Sequence, residues 1–385
     1  MTKKGIVVAM AMMAALLPAM PTVVTASEVP ETEVQEVTDE LYKDSVDMVY
    51  NHLIYRLDND NNVIISGIDN ANDNTDIELV IPAEIDGHNV ISIEGDAFKG
   101  CTNIKSVVLN DGLETIGISA FHGTSISEID IPATVTTIKH FAFENCENLT
   151  RVTFHEGLQE ICNSAFEDCN RLTGKVVIPS TTKRIGDSAF AKTAITGLSI
   201  KEGSVGIELD GKAFEECAKL GELELNRVTS IGYYCFANNT SITEITFPQG
   251  LKTIGNGVFL GVNTLEGDIV IPSTVTSIEA NAFNGTAIES LTIEAGSEGL
   301  TMGSSAFANC AKLKYADLSN RITEIGVDAF RYDPMLVWVR IADKDQPLAI
   351  YVCAFADDER LKVISLPKKV NLIDCGAFMR SEERR

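Results

Sequence analysis

Basic residues are scarce in this chain: 31 Lys and Arg face 55 Asp and Glu, a net charge of −24 over 385 residues. So acidic a surface repels nucleic acid and anionic membranes, which excludes both as partners. The five histidines do not group with the cysteines, and no Cys-x-x-Cys pair occurs, so neither a zinc site nor a redox dithiol is expected. A Gly-x-Ser-x-Gly elbow, a phosphate-binding glycine loop and a His-Glu-x-x-His pair are also missing. Nothing therefore points to nucleophilic catalysis, a metal or a cofactor. Beyond residue 26 there is no run of 18 or more apolar residues and no Leu-Pro-x-Thr-Gly motif, so no membrane insertion or wall attachment is expected once the N-terminus is removed.

The N-terminus is what would be removed. Residues 1–26 carry Lys3 and Lys4, an apolar run from Ile6 to Leu17, and small residues at Val24 and Ala26, the layout of a secretory signal. An uncleaved anchor is the alternative, but Pro18 and Pro21 break the run. Residues 27–48 hold eight carboxylates and one lysine and read as an acidic disordered spacer, with a frayed helix from Thr38 as the other possibility. Residues 49–76 contain two β-prone runs, Leu53 to Leu57 and Val63 to Ile68, joined by Asp58-Asn59-Asp60-Asn61-Asn62; they predict a capping hairpin. Asp58, Asp60 and Asn62 also match the first ligands of a calcium loop. Val63 and Asp69 stand where that loop needs Gly and Glu, so a plain turn is the expectation.

The rest, 77–385, is one phrase repeated. An alternating aliphatic pair, often a proline, then an isoleucine and Ala-Phe recur, most completely from Ile129-Asp130-Ile131-Pro132 through Ile138 to Ala142-Phe143 and Cys146. The column Phe98, Phe121, Phe143, Phe166, Phe190, Phe214, Phe236, Phe259, Phe283, Phe307, Phe330, Phe355, Phe378 has spacings of 22–25 residues. Thirteen units of that length predict a β-rich solenoid, in which each unit buries its apolar face only by stacking on its neighbours. The alternating pair predicts a short strand, which proline ends because it lacks an N–H. Ala-Phe is expected to turn the chain back as one helical turn. A longer repeat lies above the short one: Gly174 to Leu220 aligns with Gly267 to Leu313, an offset of 93 residues that suggests a block duplication.

These motifs resemble the leucine-rich repeats of BspA-like surface antigens, the Treponema-type repeat with its Ala-Phe-x-x-Cys-x-x-Leu core. The resemblance covers about residues 50–385. It implies a right-handed coil or horseshoe of about thirteen repeats, secreted or displayed on a cell surface, and adhesion to a protein such as a host extracellular-matrix component or to another cell. The repeat itself carries no active site, and a fold does not set a function.

Nine cysteines in an exported chain raise the question of disulfides. Cys101, Cys146, Cys169, Cys217 and Cys310 share a slot three residues after the phenylalanine, which the repeat aligns with Thr124, Thr193, Thr240 and Thr286 elsewhere. A slot shared by Cys and Thr is a small-residue packing position, and free thiols are expected there.

Two outward groups of side chains are candidates for binding. Counting back from each strand end puts Glu222, Glu244 and Asp268 in one column of three successive repeats, with Glu224 beside them. Strands lie about 4.8 Å apart, a spacing near that of paired glycosidase carboxylates. A carbohydrate-active or cation-binding role is the alternative these residues offer; a solvated acidic face is the plainer one. Further on, Tyr315 and Trp338 fall side by side in the same column, with Arg340, Asp317 and Val363 adjacent. Large aromatics and arginine anchor protein interfaces. Packing of Trp338 on its own loop, Asp343 to Pro347, is the competing expectation. The leading expectation is a non-enzymatic, secreted or cell-surface protein that binds a protein partner on a concave strand-lined face; a purely structural surface component is a third possibility.

Overall fold

The computed structural model describes residues 47–69, 75–343 and 347–379; segment 1–26, nearly all of the spacer 27–48 and the middle of the loop beside Trp338 lie outside them. From Ile77 onward the chain winds through thirteen turns of a parallel β-solenoid, and the described residues contain no helix.

One wall of the solenoid is a continuous ladder of very short strands. Its rungs include Thr115–Ile116, Thr137–Ile138, Glu160–Ile161 and Arg184–Ile185, each paired in parallel with the next. It runs unbroken from the N-terminal hairpin to Val370–Ile373. The isoleucine of each of those four rungs points inward and is fully buried, as the alternation predicts. The opposite wall carries the longer strands, ended by proline at Pro132, Pro179 and Pro272. This wall is not continuous. Its hydrogen-bonded patches contain two, two, three and five strands, and residues 242–248 form no strand at all.

Between the walls, the Ala-Phe turns form a third column. The helical turn expected there does not form. In every repeat the residue two before the phenylalanine has positive φ, from Asp96 (59°) and Ser119 (53°) to Asp328 (55°) and Gly376 (64°). The residue two after it does the same from Gly100 to Asp357. Two left-handed residues bracketing Ala-Phe rule out a helical run. They turn the backbone so that the Phe N–H donates to the carbonyl one residue before the next repeat's Phe, as in Phe121 to Ala142 and Phe330 to Ala354, both 2.8 Å. Non-glycine residues such as Phe141, Tyr234 and Lys192 accept this unfavourable conformation because the ladders on either side over-determine it.

The ladder spacing also sets the core. Successive phenylalanine rings stack with centroids from 4.9 Å (Phe283 and Phe307) to 5.9 Å (Phe236 and Phe259). All from Phe98 to Phe355 are buried, each contributing about 2–3 kcal/mol from burial alone. The slot three residues later is a donor position. Cys146 donates its thiol to Phe121 O and Cys169 to Phe143 O, both at 3.1 Å; Cys217 does so to Phe190 O at 3.0 Å. The alignment needs one correction: in the repeat of Phe236 the slot is Asn239, whose Nδ2 donates to Phe214 O at 2.8 Å, and not Thr240. All nine cysteines are thiols. Burial pushes Cys217 up to about 11 and Cys169, Cys235 and Cys310 well above the ordinary thiol range, so these are poor nucleophiles.

At the N-terminal end, Leu53–Leu57 and Val63–Ile68 pair as the antiparallel hairpin expected from their sequence. A strand not foreseen, Met48–Tyr50, adds to it where the acidic spacer was expected to end. Val63 to Ile65 pairs in parallel with Val90 to Ile93, joining the hairpin to the first rung. Asp58 closes its turn. Its Oδ1 accepts the N–H groups of Asp60 and Asn62, both at 2.8 Å, and its Oδ2 accepts Asn62 Nδ2, so this carboxylate is occupied by the turn, the Asx geometry of a plain loop.

Candidate functional site

The wall of longer strands presents two outward columns. In the first, Lys175, Gly197 and Glu222 lie in register on the three-stranded patch, and Asp268, Ser290, Tyr315, Trp338 and Val363 on the five-stranded one. In the second, two residues along, Ser199 and Glu224 correspond to Thr292, Asp317, Arg340 and Ser365.

The acidic residues are therefore on three successive turns but not on one ladder. Glu244 lies in the strandless segment 242–248, which separates the patch holding Glu222 from the patch holding Asp268. Nor are they bare. Lys175 reaches across two repeats to Glu224 at 2.7 Å and Glu222 at 3.5 Å, and Ser290 Oγ donates to Asp268 at 2.6 Å. The hydrogen bonds from Lys175 and Ser199 hold Glu224 below the usual carboxylate range. A general acid needs the opposite shift. Lys312 binds Glu266 at 2.7 Å in the same two-repeat reach, and Lys314 meets Glu289 at 2.9 Å. These lysines were missed from the sequence, where the columns were read for acids and for the aromatic group with Arg340; the recurring outward Lys two repeats from a Glu was the available signal.

The aromatic residues are placed differently. Tyr315 and Trp338 are direct cross-strand partners, as are Asp317 and Arg340. Tyr315 is 52% exposed, Val363 next in the column 50%, and Trp338 half-buried. Among the described residues these two rings form neither a stacked nor an edge-to-face pair, although they are adjacent in register. Arg340 is locked to Asp317 by two bonds, Nε to Oδ1 at 3.0 Å and Nη2 to Oδ2 at 2.6 Å. A fork of this kind fixes the guanidinium plane before any partner arrives. The loop Asp343 to Pro347, named as a competing packing site for Trp338, has its centre outside the described residues.

Comparisons with known proteins agree with this architecture. The model of the BspA type leucine rich repeat region matches six copies, over residues 78–196, 183–300 and 294–383. Among solved structures, a leucine-rich repeat protein from Bacteroides ovatus is similar at 22% identity, covering 87% of this chain and 92% of its own, with a TM-score of 0.52. The pneumococcal vaccine antigen PcpA is similar at 17% identity over 86% of this chain and 98% of its own (TM-score 0.45). A leucine rich cell surface protein from Faecalibacterium prausnitzii is similar at 19% over 79% and 97% (TM-score 0.34). Curated proteins give no match. Among the described residues no helix is long and apolar enough to cross a membrane. With the repeat model matching most of the solenoid, and the Phe column and isoleucine ladder forming its core, the chain belongs to the family of BspA-type leucine-rich repeat proteins.

Proposed function

We propose that this is a secreted or cell-surface, non-enzymatic recognition protein that binds a protein partner on the wall of longer strands, with Tyr315 and Trp338 as anchors and the Asp317–Arg340 pair orienting the contact. One observation carries the reading: this group occupies the middle of the five-stranded patch, the longest uninterrupted stretch of that wall. An exposed Tyr, a partly buried Trp and a pre-organised Arg on a rigid sheet meet the composition of interface hot spots. Rigid placement lowers the ordering cost of binding. The acidic residues contribute long-range attraction to a basic partner surface, weakened by salt. The experiment is affinity capture with residues 27–385 against extracellular-matrix proteins and neighbouring cells, followed by titration of the Trp338→Ala variant. Truncation is expected to weaken binding by about 2 kcal/mol or more, roughly thirtyfold, with the melting curve unchanged. Binding insensitive to Trp338→Ala and Tyr315→Ala would move the site elsewhere.

A further inference from the structure

The slot after each phenylalanine is filled by a hydrogen-bond donor in most turns, yet in two consecutive C-terminal turns it holds Asp333 and Asp358. Both are buried, at 0% and 4% exposure. Their carboxyl groups reach back to the preceding turn as the cysteines do: Asp333 Oδ1 accepts Cys310 N–H and Asp358 Oδ1 accepts Asp333 N–H, each at 2.8 Å. The second oxygen of each, Oδ2, is buried and has no partner among the described residues. In the neighbouring copies the group at this place is a hydrogen donor aimed at the preceding phenylalanine carbonyl: Cys310 to Phe283 O at 3.4 Å, Cys217 to Phe190 O at 3.0 Å, Asn239 Nδ2 to Phe214 O at 2.8 Å. The N–H that elsewhere serves the Phe carbonyl of its own turn, as Cys169 does for Phe166 O, is diverted at Cys310 and Asp333 to the aspartates. That leaves Phe307 O and Phe330 O for the slot's own hydrogen.

We infer that Asp333 and Asp358 are held as neutral carboxylic acids whose O–H groups donate to Phe307 O and Phe330 O, making the C-terminal turns a proton-dependent segment that tightens in acid and loosens in alkali. An ionised carboxylate has no hydrogen to give, and two of them one turn apart in an apolar column repel each other. The charged surroundings offer no relief. Asp333 faces Cys310 on one side and Asp358 on the other, while Asp358 faces Asp333 and Asp357. Of the cations nearby, Arg331 is committed to Asp357 at 3.1 Å and Asp328 at 3.2 Å, and Arg360, like Glu359, is exposed. Burial is the first cause raising both acids, Asp333 well above the carboxylate range and Asp358 to about 8. Because the folded state holds these protons more tightly than the unfolded chain, their contribution to stability is complete below the ordinary aspartate pKa of about 4 and is lost as pH rises through the folded value.

The only tryptophan, Trp338, lies in the same repeat as Asp358 and reports on this segment without a label. The test is thermal unfolding followed by Trp338 fluorescence at pH 5 and pH 9, for the parent chain and for Asp333→Asn, Asp358→Asn and the double variant. The parent midpoint is expected to fall by about 5 °C or more between the two pH values. The amide variants should keep the pH 5 midpoint and lose most of that fall, since Asn239 already shows an amide seated in this slot. Infrared spectra of the parent at pH 6 should also contain a protonated-carboxyl stretching band that the double variant lacks. A pH-dependence unchanged by the substitutions, amide variants markedly less stable at pH 5, or the absence of that band would each overturn the inference. None of these readouts depends on partner binding.

Discussion

Truncating one phenylalanine in the middle of the stack tests whether the column is the core. Phe236 is fully buried, with Phe214 at 5.7 Å on one side and Phe259 at 5.9 Å on the other, both nearly parallel at 12°. Phe236→Ala removes the ring's burial and leaves a cavity that two flanking backbone ladders prevent from collapsing, which costs about 3–5 kcal/mol. Loss of two stacked contacts, each about 0.5–1.5 kcal/mol, places the value at the upper end, about 4–5 kcal/mol. Phe378 provides the internal comparison. Among the described residues it stacks only on Phe355, at 5.4 Å, and it is 36% exposed, so Phe378→Ala should cost about 1–2 kcal/mol. Urea unfolding gives the two free energies. Amide hydrogen exchange locates them: since repeats stabilise one another through their interfaces, protection should drop in the turns of Phe214 and Phe259 as well as in the mutated one. Equal costs for Phe236→Ala and Phe378→Ala, or damage confined to the mutated turn, would refute the stacked-core argument.

Three further outcomes are expected. Arg340→Lys should weaken partner binding less than Trp338→Ala but more than Glu244→Gln, because Lys keeps the charge and loses the fork to Asp317; calorimetric titration of the three variants checks the order. Labelling of the denatured, unreduced protein should find nine reactive thiols, and two or fewer would contradict the slot as a packing position. Lys175→Ala should let the Glu224 carboxyl rise towards its ordinary pKa, since Lys175 is the first cause of its depression; carbon-detected NMR titration reads the shift directly, and an unmoved Glu224 would dissolve the two-repeat bridge.

The stack and the isoleucine ladder were legible in the sequence because they are periodic: one residue type at a spacing of 22–25 leaves little choice of what faces inward. The conformation of the turn was not read, although the position two after the phenylalanine is Gly, Asn or Asp in most turns, from Gly100 and Asn145 to Asp357, and so carried a left-handed signal; the position two before it accepts Phe141, Tyr234 and Lys212, which hides the pattern. The cross-strand pairs Tyr315 with Trp338 and Asp317 with Arg340 could be counted from strand ends. The break at 242–248 could not, since Ile245 and Phe247 alternate there as in any strand. The salt links of Lys175 and Lys312 join residues 45 or more apart in sequence, and only the superposition of turns brings them together. Thr240 was assigned to the donor slot by residue type, while backbone geometry puts Asn239 there, and the same geometry puts Asp333 and Asp358 into the column.

Just beyond each copy of the duplicated block stands a buried arginine, and the pair supplies the last prediction. Arg227 gives its guanidinium to three carbonyls, Lys201 at 2.9 Å, Val205 at 2.8 Å and Pro179 at 2.7 Å; Arg321 does the same with Glu294 at 2.9 Å, Glu298 at 3.5 Å and Pro272 at 2.9 Å. Each arginine thus ties a glycine-containing loop to the proline that ends the strand two turns back. The loops need their glycines for the same reason. A Cβ on Gly203 would sit 2.9 Å from Ser180 O and 3.3 Å from Arg227 Cδ, and one on Gly296 would sit 2.9 Å from Ser273 O and 3.2 Å from Arg321 Cδ. Burial lowers both guanidinium pKa values; arginine stays charged in proteins, and here the charge is satisfied by carbonyl dipoles. Lysine offers no planar fork and can serve one or two of the three carbonyls. Arg227→Lys and Arg321→Lys should each cost about 2–3 kcal/mol, the loss of one or two charge-assisted bonds plus an unsatisfied acceptor. Arg227→Lys should be the more damaging, since its three bonds are all short while the Glu298 contact of Arg321 is long. Exchange protection should fall at the N–H groups of loops 201–206 and 294–299 ahead of any change in the phenylalanine turns. Costs below about 0.5 kcal/mol, or an Arg321 variant worse than its Arg227 counterpart, would show that the loops are held by something other than these arginines.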